Sequence, residues 1–137
     1  MKKILLFLAL STLLFAQSYQ EFAKENGYEL DYKTALSKAK SQNKELMLLL
    51  VTNYCPWCKK YELLTLGNKE INAKVHSKYV PLIINREERN FPAQFDSTTV
   101  PVTYFVNSKD EKIKESVRGY QTKEEFKALL KSRSVIF

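Results

Sequence analysis

Glycine and proline are scarce in this sequence, which has three glycines and four prolines among 137 residues. That scarcity excludes a collagen-like repeat, a flexible linker and a proline-rich disordered chain. No internal repeat or low-complexity tract is present. Apolar residues make up 45% of the chain and charged residues 27%. This composition is typical of a folded domain, and the length predicts a single core.

Side chains that bind metals are also few, because the chain has two cysteines, Cys55 and Cys58, and one histidine, His76. Structural zinc sites use about four such ligands, and a haem attachment site needs histidine directly after the second cysteine, where Lys59 stands. We therefore expect no metal and no cofactor, and we expect His76 to be a surface residue. A disulfide between cysteines this close in sequence adds little stability through loop entropy. Redox chemistry explains the pair better than a structural role.

Basic residues outnumber acidic ones, 22 to 15, but no arginine-rich stripe or interleaved aromatic pattern is present. Proteins that bind nucleic acids concentrate their positive charge on one face or along one helix. The lysines here are scattered over the predicted helices. We expect protein partners and no nucleic acid.

The longest apolar run lies at the N-terminus. Two lysines precede the apolar residues 4–15, and the small residue Ala16 follows them. This pattern is typical of a secretory signal peptide, and the run is shorter than the roughly 20 residues that span a bilayer. We expect a signal peptide over residues 1–16, a folded domain over 17–137, and a periplasmic or secreted protein. An uncleaved membrane anchor is the alternative.

Apolar spacing predicts a helix, a strand and a second helix in the first half of the domain, with nothing assigned to residues 17–26. Asp31 can cap a helix whose apolar residues recur at helical spacing as far as Ala39. The run 46–51 is apolar throughout, which predicts a central strand covered on both faces. A helix is expected to begin at Pro56, so the cysteines lie at a strand-to-helix junction.

The second half predicts a strand, a hairpin and a final helix. Asn68 can cap a helix, and residues 80–84 form a buried strand. Residues 100–106 and 113–117 are separated by a turn and predict an antiparallel hairpin. A capping-box spacing at Thr122 begins the last helix. With a short helix before the hairpin, the predicted order is α-β-α-β-α-β-β-α.

The junction explains how the cysteines would act. Unpaired backbone N–H groups at a helix N-terminus stabilise a thiolate, which favours Cys55 as the nucleophile. Pro56 suits the first helical position, where its missing N–H is no loss. Cys58, one turn further on, is expected to be more buried and to resolve a mixed disulfide at Cys55.

Two motifs carry a resemblance to a known family: Tyr54-Cys55-Pro56-Trp57-Cys58-Lys59-Lys60 after an apolar strand, and Thr99-Val100-Pro101-Val102-Thr103 at the start of a later one. Over residues 30–132 the chain resembles the thioredoxin superfamily, and in particular periplasmic thioredoxin-like thiol:disulfide interchange proteins with the same four-residue motif. The resemblance implies an α/β, thioredoxin-like fold, with a central mixed β-sheet flanked by helices and a C-terminal β-hairpin plus helix. It also implies a thiol:disulfide oxidoreductase.

In that family, the proline that opens the later strand has a cis peptide bond, and the neighbouring backbone pairs with substrate. Carried over, this role falls on Val100 and Pro101; a trans proline at the start of an edge strand is the alternative. Trp57 is expected to contact substrate or to be a partly exposed aromatic residue of the groove. Tyr54 is expected to be a packing residue.

The sequence departs from thioredoxin at the buried acid in the strand before the motif, because Leu49 occupies that position. Glu62, one turn beyond Cys58, could replace this acid in proton transfer. The expectation, however, is a solvated glutamate on the helix surface.

These features predict an exported enzyme that exchanges disulfides with protein thiols and disulfides, with the reductase direction slightly favoured over the oxidase direction. A membrane redox partner that recycles the dithiol is a further expected partner. The alternative is a non-catalytic thioredoxin-like binding module or chaperone, whose cysteines only lock a loop.

Overall fold

The computed structural model describes residues 18–134 of the chain. The predicted signal peptide, residues 1–16, lies outside the described residues. Among the helices of residues 18–134, none has both the length and the apolar character needed to cross a bilayer.

A four-stranded mixed sheet forms the centre of the fold. Its strands are β1 (Glu45–Val51), β2 (Tyr79–Asn85), β3 (Val102–Val106) and β4 (Ile113–Arg118). The spatial order is β2-β1-β3-β4, in which β1 runs parallel to β2 and antiparallel to β3, and β3 pairs antiparallel with β4. The predicted central strand and the predicted hairpin are therefore confirmed.

Five α-helices flank this sheet within residues 18–134: α1 (Tyr19–Asn26), α2 (Tyr32–Gln42), α3 (Pro56–Tyr61), α4 (Lys69–Lys78) and α5 (Lys123–Ser134). A π-helical turn, Glu62–Leu66, continues α3, and two short 3₁₀ turns lie at Arg86–Glu88 and Ala93–Phe95.

The caps explain where the helices begin. The Asp31 carboxylate accepts from the Thr34 N–H, and the Asn68 side chain accepts from the Ile71 N–H, as the sequence predicts. The Thr122 capping box forms reciprocally with Glu125.

Helix α1 is the one α-helix that the spacing of apolar residues does not predict. Ser18 caps it by accepting from the Glu21 N–H, and Tyr19, Phe22 and Ala23 are buried against the rest of the core. With eight residues, the helix is too short to be marked by periodicity alone and is stabilised by this packing.

Strand β1 separates two apolar clusters, because successive side chains of a strand point to opposite faces of the sheet. The even-numbered residues, from Leu46 to Leu50, pack with residues of α2. The odd-numbered residues, from Met47 to Val51, lie in a second cluster with residues of the other four helices. Both cysteines belong to this second cluster, so Leu49 lies on the cysteine side of the sheet.

Candidate active site

The cysteine pair lies at the junction between strand β1 and helix α3. Cys55 is the N-cap residue and Pro56 follows at the start of the helix, as predicted. Cys55 and Cys58 form a disulfide with an S–S distance of 2.08 Å. The Cys58 N–H lies 3.2 Å from Cys55 Sγ and donates to it, so a backbone donor already faces the sulfur that would carry charge as a thiolate.

The two cysteines differ in their access to solvent. Cys55 is 8% exposed and Cys58 is 2% exposed. An incoming disulfide therefore meets Cys55 first, whereas Cys58 lies beneath it in the core. This arrangement suits an outer nucleophile and an inner resolving thiol.

The loop that carries Cys55 is held by the end of β2. The Asn53 N–H donates to Glu87 Oε2 at 2.7 Å, and the Asn85 side-chain amide donates to Asn53 Oδ1. The Glu87 N–H in turn donates to Asn85 Oδ1 at 3.0 Å. These hydrogen bonds fix the backbone two residues before Cys55. The sequence pattern predicts none of them.

The helical segment after the cysteines buries polar residues and exposes leucines. Its buried positions follow helical spacing and are Cys58, Tyr61, Glu62, Thr65 and Leu66. On the opposite face Leu63 is 61% exposed and Leu64 is 50% exposed. Glu62 and Thr65 therefore lie on the core side of this segment, while Leu63 and Leu64 face solvent.

Glu62 is a buried acid, and the prediction that it is solvated is wrong. It is 2% exposed, and it is the only buried carboxyl among residues 18–134. Its Oε1 has no hydrogen-bond partner, and its Oε2 lies 3.8 Å from Lys59 Nζ. Burial raises the pKa of Glu62 to about 7, and the nearby Lys59 ammonium opposes part of that rise.

The position of Glu62 follows from its spacing. It lies four residues after Cys58 and one after Tyr61, so it shares their face of the helix. That spacing from a buried cysteine is the signal that would have identified it. With Leu49 on the cysteine side of β1, Glu62 supplies the buried carboxyl that the strand lacks.

The π-helical turn brings Gly67 against the backbone of Glu62. The Gly67 N–H donates to the Glu62 carbonyl at 2.8 Å. A Cβ on residue 67 would lie 2.8 Å from the same oxygen. Gly67 has a φ of −77°, so glycine is required here by close approach and not by a left-handed backbone.

The loop before β3 lies beside this site. The Val100–Pro101 peptide bond is cis, Pro101 is buried, and its carbonyl accepts from the Gly119 N–H at 2.8 Å. Val100 is half-buried and packs against the cluster that contains both cysteines. The substrate-pairing role of Val100 and Pro101 stays a prediction.

The outer surface of the site is aromatic. Trp57 is 56% exposed, and its ring lies 5.8 Å from the ring of Tyr120. Tyr54 is 90% exposed, so the prediction that it is a packing residue is wrong; the loop between β1 and α3 directs it to solvent. His76 is half-buried on α4, with Nε2 2.8 Å from the Asn26 carbonyl. No three metal-ligating side chains cluster within residues 18–134.

Solved structures with the same fold are found at low sequence identity. A thioredoxin from Thermus thermophilus is 17% identical with a TM-score of 0.67, covering 77% of this chain and 85% of that one. The C-terminal domain of Neisseria meningitidis DsbD in the oxidised form is 20% identical with a TM-score of 0.61, covering 77% and 97%. A disulphide isomerase from Xylella fastidiosa Temecula1 is 20% identical with a TM-score of 0.58, covering 74% and 87%.

A search of curated proteins finds no match. A family model described as a thioredoxin-like domain matches residues 32–134, which is more than half of the chain. The matched segment contains the four-stranded sheet, the cysteine pair and the loop of Pro101. The chain therefore belongs to the thioredoxin-like domain family.

Proposed function

We propose that this protein is a thiol:disulfide oxidoreductase that reduces disulfides of other proteins through Cys55 and Cys58. One observation carries the proposal: about one turn of helix separates an outer cysteine from a buried one, and a buried carboxyl, one of whose oxygens has no hydrogen-bond partner, lies one turn further on. A cysteine pair that only locked a loop would not need such an acid.

In the first step, the Cys55 thiolate attacks one sulfur of a partner disulfide. A mixed disulfide forms, the partner S–S bond breaks, and the second partner sulfur leaves as a thiolate that takes a proton from water. The Cys58 N–H, 3.2 Å from Cys55 Sγ in the oxidised protein, would stabilise the attacking thiolate.

In the second step, Cys58 resolves the mixed disulfide. Its thiol must lose a proton, and the Glu62 carboxylate is the buried base on the same helix face. The Cys58 thiolate then attacks Cys55 Sγ, the Cys55–Cys58 bond forms as the bond between Cys55 and the partner sulfur breaks, and that sulfur leaves as a thiolate that takes up the proton held by Glu62. Two electrons and two protons pass from the dithiol to the partner disulfide.

The pKa of Glu62 suits this task. A general base works best when its pKa lies near the working pH, and burial brings the pKa of this carboxyl to about 7. An ordinary surface glutamate would be too weak a base for a thiol.

The substrate would lie across Trp57, Val100 and Pro101. Trp57 lies two residues after Cys55 in the chain and is exposed, and Val100 packs against the cluster that contains both cysteines. An extended partner segment that lies between Trp57 and Val100 would place its disulfide over Cys55.

Export to the periplasm or the cell exterior is part of the proposal. It is supported by the lysines and apolar run of residues 1–16 and by a chain whose only two cysteines are paired with each other. In an oxidising compartment, a reductase must be recycled by an outside dithiol, so we propose a membrane redox partner that supplies electrons.

Insulin reduction tests the activity. With dithiothreitol as the recycling reductant, the wild type should accelerate insulin precipitation, and Cys55→Ser should not. Absent turnover in the wild type would favour a non-catalytic binding module.

The redox potential tests the proposed direction. Equilibration of the Cys55–Cys58 couple in glutathione buffers should give a value near the about −270 mV of thioredoxin. A value near the about −120 mV of a strong oxidant would contradict the reductase direction while leaving the exchange chemistry intact.

A further inference from the structure

We propose that Trp57, Lys60 and Tyr120 form a subsite that binds a carboxylate side chain of the partner protein, close to the partner's disulfide. The inference rests on the proposed function and adds the chemical class of the preferred substrate. We call these three residues the acidic subsite.

The ammonium group of Lys60 is held against two aromatic rings. Its Nζ lies 4.9 Å from the ring centroid of Trp57 and 5.2 Å from that of Tyr120. Cations are attracted to the faces of aromatic rings at such distances. The rings therefore limit the motion of a side chain that is otherwise exposed, and part of the entropy cost of fixing it is already met in the free protein.

The charge of Lys60 is not compensated by a carboxylate. Within residues 18–134 no carboxylate lies within ion-pairing distance of Lys60. Most lysines of this range share that feature, and Lys60 differs from them in being held over the Trp57 and Tyr120 rings. The neighbouring Lys59 faces the buried Glu62. Lys60 thus presents a positioned positive charge to any molecule that approaches Cys55.

The acidic subsite adjoins the place where a partner must bind. Trp57 lies between the two cysteines in the chain. Tyr120 follows Gly119, whose N–H donates to the Pro101 carbonyl. The acidic subsite therefore lies between α3 and the end of the β3–β4 hairpin, which contacts the Pro101 loop. A partner segment that reaches Cys55 would pass beside this subsite.

An apolar side chain flanks the same helix face. Trp57, Lys60 and Leu64 follow one another at intervals of three and four residues, and Leu64 is 50% exposed. Charge complementarity and this apolar neighbour identify the occupant as a protein segment with Asp or Glu beside an apolar residue, a few positions from a cysteine. The whole chain has a net charge of +7, and removal of residues 1–16 with Lys2 and Lys3 would leave 7 − 2 = +5, which still adds a long-range attraction for acidic partners.

Cyclic disulfide peptides test the proposal. Three peptides would differ only at one residue a few positions from one cysteine, which is glutamate, glutamine or lysine, with the same apolar residue beside it in all three. Single-turnover reduction by excess reduced protein, quenched with acid and resolved by chromatography, gives a rate constant for each peptide. The proteins are wild type, Lys60→Met, Lys60→Glu and the matched control Lys40→Glu, which removes an exposed lysine on α2.

The preference for an acidic residue is expressed as the quotient of two rate ratios. The glutamate-to-glutamine rate ratio of wild type is divided by that of Lys60→Met, which cancels the intrinsic reactivity of each peptide. An exposed ion pair predicts a quotient of about two to five, falling towards one in high salt. Lys60→Glu should prefer the lysine peptide, and Lys40→Glu should keep the wild-type preference.

Three outcomes would overturn the proposal. A quotient of one at low salt, with all peptides reduced, would contradict the acidic subsite and leave the proposed function intact. An equal loss of preference in Lys40→Glu would show that net charge acts and not this site. If Lys60→Glu changes self-association and leaves the peptide ratios unchanged, the surface binds a second copy. Failure of wild type to reduce any peptide or insulin would instead contradict the proposed function itself.

Discussion

Replacing Glu62 with glutamine removes the only buried carboxyl of residues 18–134 and keeps the size of the side chain. In the folded, oxidised protein the pKa of Glu62 is raised from 4.5 to about 7 because the group is buried. In the unfolded chain the group is solvated and titrates near its ordinary value. Folding therefore favours the protonated form, and ionisation of Glu62 opposes folding.

The size of this effect follows from the difference between the two pKa values. At about 1.4 kcal/mol for each pKa unit, a rise from 4.5 to about 7 corresponds to about 3 kcal/mol. A raised folded-state pKa gives stability that is fully present below about pH 4.5 and is lost as the pH rises through about 7. Glutamine carries no charge at any pH, so the variant escapes this loss.

We expect the stability advantage of Glu62→Gln over wild type to grow by about 3 kcal/mol between pH 4 and pH 8. Guanidinium unfolding of both oxidised proteins at the two pH values measures it, with the slopes of the transitions checked for equality. Domains of this size have about 5–15 kcal/mol of stability in total, so the change is readily resolved.

The matched control is Glu124→Gln, which removes an exposed carboxyl on α5. Its stability should differ from wild type by no more than about 0.5 kcal/mol at either pH. A difference between wild type and Glu62→Gln that does not depend on pH would refute the reasoning, because Glu62 would then titrate as a solvated acid. A pH-dependent change of the opposite sign would show that a cation holds it ionised.

Three further predictions concern the nucleophile, the processing site and the π-helical turn. The pKa of Cys55 in the reduced protein should lie below the unperturbed value of about 8.5, and Leu49→Asp should raise that pKa because it adds a negative charge on the cysteine side of β1. The pH dependence of alkylation measures both values. A lower pKa in the variant would contradict the account. The mature protein should begin at Gln17, which the intact mass of exported protein would show; a retained first residue would indicate an anchor. Gly67→Ala should destabilise the protein by about 1–3 kcal/mol, because the alanine Cβ would lie 2.8 Å from the Glu62 carbonyl oxygen. An unchanged thermal unfolding midpoint would show that the turn relaxes to accommodate the methyl group.

The parts of the fold that depend on local patterns could be predicted from the sequence. The fully apolar run of β1 identified the central strand, because only a strand covered on both faces tolerates such a run. The caps at Asp31, Asn68 and Thr122 formed as expected, since each depends on residues three positions apart. Cys55 likewise lies at the predicted helix start.

The failures concern residues whose burial is set by distant parts of the chain. Glu62 is buried although an acid at that position is expected in solvent, because the core side of the helix is fixed by Cys58 and Tyr61. Tyr54 points to solvent because its loop is anchored through Asn53 to the end of β2. For Glu62 the four-residue spacing from Cys58 carries the signal, whereas no local pattern reports how the Tyr54 loop is anchored; both failures lie near the cysteine pair.

Mixed-disulfide trapping tests the central claim most directly. Reduced Cys58→Ser, incubated with a disulfide-bonded protein such as insulin, should accumulate a covalent adduct, because Cys55 attacks and no thiol remains to resolve the intermediate. Peptide mapping of the adduct by mass spectrometry should place the bond at Cys55, and Cys55→Ser should form none. Adducts from Cys55→Ser but not from Cys58→Ser would contradict the account, because they would make the buried cysteine the nucleophile.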